Sequence, residues 1–459
     1  MASSNRSLAQ TRILKVHNGS LGSFRDTKTL ETWELPTVTK ELEPLREAAK
    51  ELRGGSTPVG FPTETVYGLG ADATRSDAVK GIYKAKGRPS DNPLIIHICD
   101  LTMLRSLLGQ GEETNRDVIA DPIPAIYKPL IEKFWPGPLT ILLLNSKPSK
   151  LAPEVTAGLP TFGARMPDSP LALSLIHLAG VPLAAPSANA STKPSPTTAA
   201  HVMNDLNGKI HIILDGGPCL VGVESTVVDG LCDPPVVLRP GGVSIDRIRE
   251  CEGWAGVVEG YKDASEIGAS APRAPGMKYK HYSPKARVVL YEAPVKDGQR
   301  QNGIPLEEVW RVVDAQEQRI SQLGYEKIDH FPKIGIVSTR TWTTWAGFGN
   351  AERGGTGGVK SNFTRVKSSQ GMDSSDYFFA VQEGELYGNS SSRKLGHVIE
   401  VSLGIETKDI ARGLFSALRH LDQREVDVIY VEGVEDEGGI AAAVMNRLRK
   451  AATKILGYE

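Results

Sequence analysis

Cysteine is scarce. The chain has four in 459 residues, Cys99, Cys219, Cys232 and Cys251, with no C-x-x-C pair and no histidine at metal-ligand spacing. That excludes a disulfide framework and a zinc module, and it suits reduced thiols of the cytosol or nucleus acting as small buried hydrophobes. Charge of one sign is missing too: 53 Lys and Arg balance 54 Asp and Glu for a net charge of -1. No global field therefore draws the chain to nucleic acid or an anionic membrane, so any anion site must be local. The most apolar stretch, LALSLIHLAGVPLAAP from Leu171 to Pro186, is too short to span a bilayer and carries His177 and two prolines. Walker A, HExxH and GxSxG motifs are absent, which removes the cheapest support for P-loop phosphoryl transfer, zinc proteolysis and elbow-serine hydrolysis. Acids are missing from the first 25 residues, where Arg6, Arg12, Lys15 and Arg25 lie among serines. We read that stretch as a solvated tail with a weak transit-peptide composition, which suits a cytoplasmic protein with a possible mitochondrial pool.

What is present is an alternation of helix and strand patterns. TVTKELEPLREAAKELRGG (Thr37 to Gly55) predicts a helix that ends on a glycine pair. Strand patterns follow at Val59 to Phe61, NPLIIHI, LTILLL, TFGARM, VPLAAP, IHIILD, STVVDG and PVVLRPG, several of them separated by helices. A twisted mixed α/β sheet accommodates them. The stretch from about Arg105 to Lys128 loses the pattern and reads as a surface insertion. From Glu252 the composition turns to Gly, Ala, Ser and Pro, which predicts a linker. Beyond it, strands and helices alternate as in a smaller Rossmann-like α/β domain, interrupted by a glycine-rich segment, Trp342 to Met372, read as a mobile loop. The expected organisation is a tail at 1–36, a first domain at 37–251, a linker or lid at 252–285 and a second domain at 286–459.

Local anion sites can be sought at the ends of these elements. After Ser76, a candidate N-cap, Val79, Ile82 and Tyr83 recur at helical spacing, so Lys84 and Lys86 fall in the last turn, with Gly87 as the stop. Cations there complement the helix dipole, but Arg88 lies past the stop. Lys86 and Arg88 are therefore a candidate pair for a phosphate chain. In APSANASTKPSP a strand ends at Pro186, a polar loop with Ser187 and Asn189 follows, and Ser195 and Pro196 are expected to open a helix whose N-terminus favours an anion. Thr63, Thr65 and Tyr67, His97, Arg165, Ser225 and Thr226, and Arg239 occupy comparable strand-end positions, each a weak signal alone. Gly68, Gly70 and Ala73 satisfy G-x-G-x-x-[GA], but no helix opens there, so dinucleotide binding is not expected.

Taken in order, PTETVYGLG, KGRPSDNPLIIHI, FWPGPLT, FGARMP, PSANAS, GGPCLVGVESTVVD, LRPGG and APGMKYKHYSP resemble the threonylcarbamoyl-AMP synthase family in its long form, with a YrdC-like catalytic domain and a second, Rossmann-like domain. The resemblance implies an enzyme, a nucleotidyltransferase, that joins L-threonine, bicarbonate and ATP, with Mg²⁺, into threonylcarbamoyl-adenylate and pyrophosphate. That product serves threonylcarbamoylation of the adenosine beside the anticodon of tRNA. It further implies a monomer that hands its product to a tRNA threonylcarbamoyl-transferase complex, without stable tRNA binding and without a membrane. Its K-x-R motif corresponds to Lys86 and Arg88 and its S-x-N motif to Ser187 and Asn189, the four expected catalytic residues. Around ATP it places Arg88, Asn92, Thr161, Ser187, Ser195 and Arg239, with His281 and Tyr282 from the linker. Around threonine it places Thr65, His97, Arg165, the backbone at Ala185, and Ser225. No side-chain metal ligand is implied, and no dedicated general base is visible.

Two other classes remain. A double-stranded RNA-binding protein would explain Lys86, Arg88 and Arg239 as a basic concave face. A related carbamoyltransferase would require C-x-x-C pairs that this chain lacks.

Overall fold

A computed structural model describes residues 10–17, 19–37, 40–109, 121–260, 282–292, 303–328, 330–348, 379–387, 394–436 and 438–457. The chain divides into two compact units, Met1–His281 with Gly438–Ala443, and Tyr282–Glu437 with Val444–Glu459.

The first unit is built on a mixed sheet of 11 strands. Their spatial order is Arg12–Lys15, Ile212–Asp215, Val59–Phe61, Gly68–Asp72, Leu183–Ala184, Ile95–His97, Thr161–Arg165, Leu139–Leu144, Thr226–Asp229, Val236–Arg239 and Val258–Glu259. The inner strands read as unbroken apolar runs because both faces are covered. On the helix Glu43–Gly54, Leu45, Ala48, Ala49 and Leu52 form one buried stripe, and the helix packs against Pro170–Ala179. The helix Ser76–Lys86 lies on Gly68–Asp72 and stops at Gly87, whose φ of 63° is the left-handed conformation that glycine adopts without steric cost. Gly68 and Gly70 have a packing role: a Cβ on Gly70 would sit 2.7 Å from the Phe61 ring. Gly68–Asp72 is an antiparallel partner of Val59–Phe61, so the G-x-G pattern opens no helix.

The structure corrects the reading of the N-terminal stretch as a solvated tail. Arg12–Lys15 pairs in parallel with Ile212–Asp215, and Leu21, Leu30 and Trp33 belong to the core. Trp33 Nε1 donates to Ser174 Oγ at 3.0 Å, which in turn donates to Leu21 O. The supposed surface insertion also contributes to the core, through Leu107, Ile123 and Tyr127. Its middle, 110–120, lies outside the described residues.

The second unit carries five parallel strands with one antiparallel edge, in the order Ala380–Tyr387, Lys394–Ser402, Lys333–Ser338, Val428–Glu432, Arg287–Tyr291 and Lys454–Leu456. Its described helices include Leu306–Leu323 and Thr407–Gln423, with the part of Gly439–Ala451 from Val444 onward. Both units are α/β, a large mixed sheet and a smaller Rossmann-like layer. The reading of a mobile loop from Trp342 is corrected for its first residues: Trp342, Trp345, Ala346 and Phe348 are core side chains. The rest of that segment lies outside the described residues.

Candidate active site

The basic motif after the first unit's second long helix meets the S-x-N loop. Lys86 is 4% exposed, and its Nζ donates to Ser187 O, to Asn189 O at 2.6 Å and to Asn189 Oδ1 at 3.2 Å. The ammonium thus has an acceptor for each of its three protons. The loop is knitted further: Ser187 Oγ donates to Asn189 Oδ1 at 2.6 Å, Asn189 Nδ2 donates to Ala190 O and Lys193 O, and Ser191 N donates to Lys86 O. Arg88 Nη2 donates to Pro93 O at 3.1 Å, and Asn92 is buried with no partner for Oδ1 among the described residues. Ser195 is fully buried and donates to Glu224 Oε1 at 2.6 Å.

Ser195 does not cap a helix. The helix is Ala199–Leu206 and its N-cap is Thr198, whose hydroxyl accepts from His201 N. Ser76, likewise, is the first residue of its helix and donates its hydroxyl to Glu154.

A second group forms around Arg165, the last residue of its strand and the register partner of His97 on the parallel neighbour. Arg165 Nε donates to Gly137 O at 3.2 Å and Nη1 donates to Thr65 Oγ1 at 2.9 Å, while Nη2 lies 2.5 Å from Glu64 Oε1. Thr63 Oγ1 and Thr65 Oγ1 are 2.8 Å apart, and Thr63 Oγ1 also accepts the amides of Thr65 and Val66, which turns the loop so that Thr65 faces Arg165. Burial, then the Arg165 charge, pulls the His97 imidazole down to about 3, so it is neutral at neutral pH. Its Nδ1 has no hydrogen-bond partner among the described residues. Asp168, exposed just beyond the strand, has its carboxyl shifted up by partial enclosure first and by the Glu64 charge second.

Arg239 ends the strand Val236–Arg239 and is bonded to Ser225: Nε and Nη2 donate to Ser225 O at 3.1 and 2.9 Å, and Nη2 donates to Ser225 Oγ at 3.1 Å. Ser225 Oγ is 2.8 Å from Thr140 Oγ1. A residue expected near ATP and one expected near threonine are therefore in direct contact.

Lys86, Ser187 and Asn189 come together, as do Thr65, His97 and Arg165. Thr161 begins the strand that Arg165 ends, and Ala185 is buried with its amide on Ile95 O. His281 and most of the linker lie outside the described residues. Tyr282 stacks on Phe415 within the second unit, with ring centroids 5.2 Å apart. Glu64, Glu224 and Thr140 were missed. The signal for Glu64 was its place between two threonines in a loop joining two buried strands, but burial itself is not written in sequence. With Lys86 and Arg239 only 4% and 6% exposed, the basic face needed for the RNA-binding reading is not formed by them.

Two family models match along the chain. A family model described as telomere recombination (Sua5, YciO and YrdC) matches residues 51–241, and one described as the threonylcarbamoyl-AMP synthase C-terminal domain matches 243–453. The chain is 43% identical to the threonylcarbamoyl-AMP synthase of Schizosaccharomyces pombe, over 90% of this chain and 88% of that protein. It is 40% identical to the Bacillus subtilis protein of the same name, over 90% and 96%. Among solved structures, P. abyssi Sua5 complexed with L-threonine superposes with a TM-score of 0.64 at 35% identity, covering 98% of this chain and 100% of that one.

Proposed function

This chain belongs to the threonylcarbamoyl-AMP synthase family, and on that premise we propose how its first unit joins L-threonine, bicarbonate and ATP into threonylcarbamoyl-AMP, with release of pyrophosphate. The observation that carries the reading is the Arg165 guanidinium, buried beside a neutral His97 and bonded to Thr65. Arg165 takes the threonine carboxylate through its remaining donors. Thr65, His97, Ser225 and the backbone at Ala185 recognise the hydroxyl and orient the amine. A neutral imidazole suits that task because it can accept as well as donate.

Lys86, Arg88, Asn92, Thr161, Ser187, Asn189, Ser195 and Arg239 line the triphosphate. Bicarbonate gives carbon dioxide and hydroxide; the threonine amine adds to the carbon dioxide, and the proton it loses combines with the hydroxide as water, giving a carbamate. A carbamate oxygen then attacks the α-phosphorus in line, and the bond to pyrophosphate breaks. Proximity and fixed positive charge supply most of the rate.

These donors do not form a Mg²⁺ cage. The phosphate set holds no carboxylate, and its buried neighbour Glu224 is bonded by Ser195. A Mg²⁺ ion would arrive on the nucleotide's own oxygens, keeping most of its water. The product is a mixed anhydride that water destroys, so we infer delivery to a tRNA-modifying transferase in the same compartment, the cytosol with a possible mitochondrial pool. Among the described residues no helix is long and apolar enough to cross a membrane.

The test is pyrophosphate release from ATP with each amino acid, with and without bicarbonate. Release should require L-threonine and bicarbonate together, with serine poorer by about 10- to 200-fold because a methyl contact is lost. Equal release without bicarbonate would point to ordinary aminoacyl adenylation and overturn the reading.

A further inference from the structure

Glu64, paired with Arg165, has no task in the proposed reaction. Its side chain is 7% exposed and that of Arg165 5%, and their nearest atoms are 2.5 Å apart. A supporting carboxylate would meet the guanidinium fork to fork, with paired N–H···O bonds. This pair does not. Neither Glu64 oxygen, nor Arg165 Nη2, has a directed hydrogen bond among the described residues, although all three atoms are buried. The other Arg165 nitrogens are committed, Nε to Gly137 O and Nη1 to Thr65 Oγ1. What remains is a donor set on Nη2 and an acceptor set on Glu64, side by side and out of water.

Buried polar groups left in that state are costly unless a ligand completes them. The ligand that would do so carries an anion and a cation a few bonds apart, which describes the zwitterion of a free α-amino acid. An anion or a cation alone would satisfy only half of the pair. We propose that Glu64 is a specificity-determining residue that receives the substrate ammonium while Arg165 receives its carboxylate. The site thereby selects free amino acids against hydroxy acids and N-blocked ones.

The inference rests on the proposed threonine site at Arg165. Its test is calorimetric titration of the intact chain with L-threonine and with the α-hydroxy acid that carries a hydroxyl in place of the amine, in wild type, Glu64→Gln and Glu64→Asp, with ATP titrated into each preparation to verify the fold. Wild type should prefer threonine by at least about 10-fold, the scale of a hydrogen bond to a charged group. Glu64→Gln should lose about 10- to 100-fold in threonine affinity and nothing for the hydroxy acid, and Glu64→Asp should recover part of the preference. Equal losses for both ligands would make Glu64 a mere support for Arg165 and overturn the proposal. So would a wild type without preference, a result that needs no variant to fold. A wild type that binds no threonine at all would instead remove the threonine site itself, and the two failures are told apart in the wild-type titrations alone.

Discussion

Lys86→Met should open the S-x-N loop before it harms anything else. The methionine preserves the stem's bulk but leaves Ser187 O and Asn189 O, both bonded to Nζ, without their donor, and weakens the setting of Asn189 Oδ1. An orphaned buried acceptor costs roughly 1 to 3 kcal/mol. Asn189 Oδ1 keeps its bond from Ser187 Oγ, so two carbonyls dominate and the sum is about 2 to 6 kcal/mol. Because the chain has two units, a single melting temperature would blur this effect. Hydrogen exchange read on the segment from Pro186 to Pro196 isolates it, and local opening of that size should speed exchange by roughly 10²- to 10⁴-fold. Arg88→Ala is the contrast. Its Nη2 bond to Pro93 O is worth about 1 kcal/mol, so protection should hardly change, while turnover falls by roughly 10²- to 10³-fold for loss of a phosphate-facing donor. Unchanged loop protection in Lys86→Met would refute the clasp, and a faster-exchanging loop in Arg88→Ala with normal turnover would reverse the division of labour between the two cations.

His97 makes stability pH-dependent with a definite sign. Its folded value near 3 lies below the ordinary 6.5, so the unfolded chain binds the extra proton and stability falls as pH drops below about 6.5, levelling off near 3. At pH 5 the penalty is about 2 kcal/mol; His97→Asn should abolish it, and denaturant titrations of the first unit at pH 7 and 5 that show the same loss in both proteins would contradict this. Gly241→Ala puts a Cβ 2.2 Å from Thr226 N and 2.3 Å from Ser225 C, backbone atoms that cannot swing aside, so it should cost about 3 kcal/mol or more and weaken both substrates through the Ser225 to Arg239 contact; normal unfolding and binding would show that the LRPGG turn has slack.

The fold was legible where side-chain patterning reflects burial. LTILLL forms the strand Leu139–Leu144 with its first five residues buried, and the long helices fall where the apolar stripe predicted them. Arg12–Lys15 escaped because it is an edge strand whose side chains are mostly exposed; its place comes from backbone bonds to Ile212–Asp215, some 200 residues away, which leave no mark on RILK. Ala380–Tyr387, largely half-buried and carrying two glutamates, hid in the same way. Trp342 to Phe348 was misread for a different reason: the glycines that follow set the local composition, while two tryptophans and a phenylalanine already carried more apolar area than a loop needs to expose.

The site was legible as a set of residue types, and not as an arrangement. Each motif in PTET, K-x-R, FGAR and S-x-N names a side chain at a strand or helix end, where an open sheet holds its ligands. Which ends meet is a property of strand order. Arg165 reaches Thr65 although Leu183–Ala184 and Ile95–His97 lie between its strand and Gly68–Asp72, which the Thr65 loop enters, and their separation of 100 residues says nothing of it. The same holds for Lys86, whose charge reads as a dipole partner until the loop a hundred residues later is seen to wrap it. Glu64 was the least visible of all, since an acid between two hydroxyls in a loop is ordinary on a surface and consequential only when buried. The residues hardest to find from sequence are those whose chemistry depends on being dry, as with the Glu64 carboxylate buried beside the Arg165 guanidinium, where neither Glu64 oxygen nor Arg165 Nη2 has a directed hydrogen bond among the described residues.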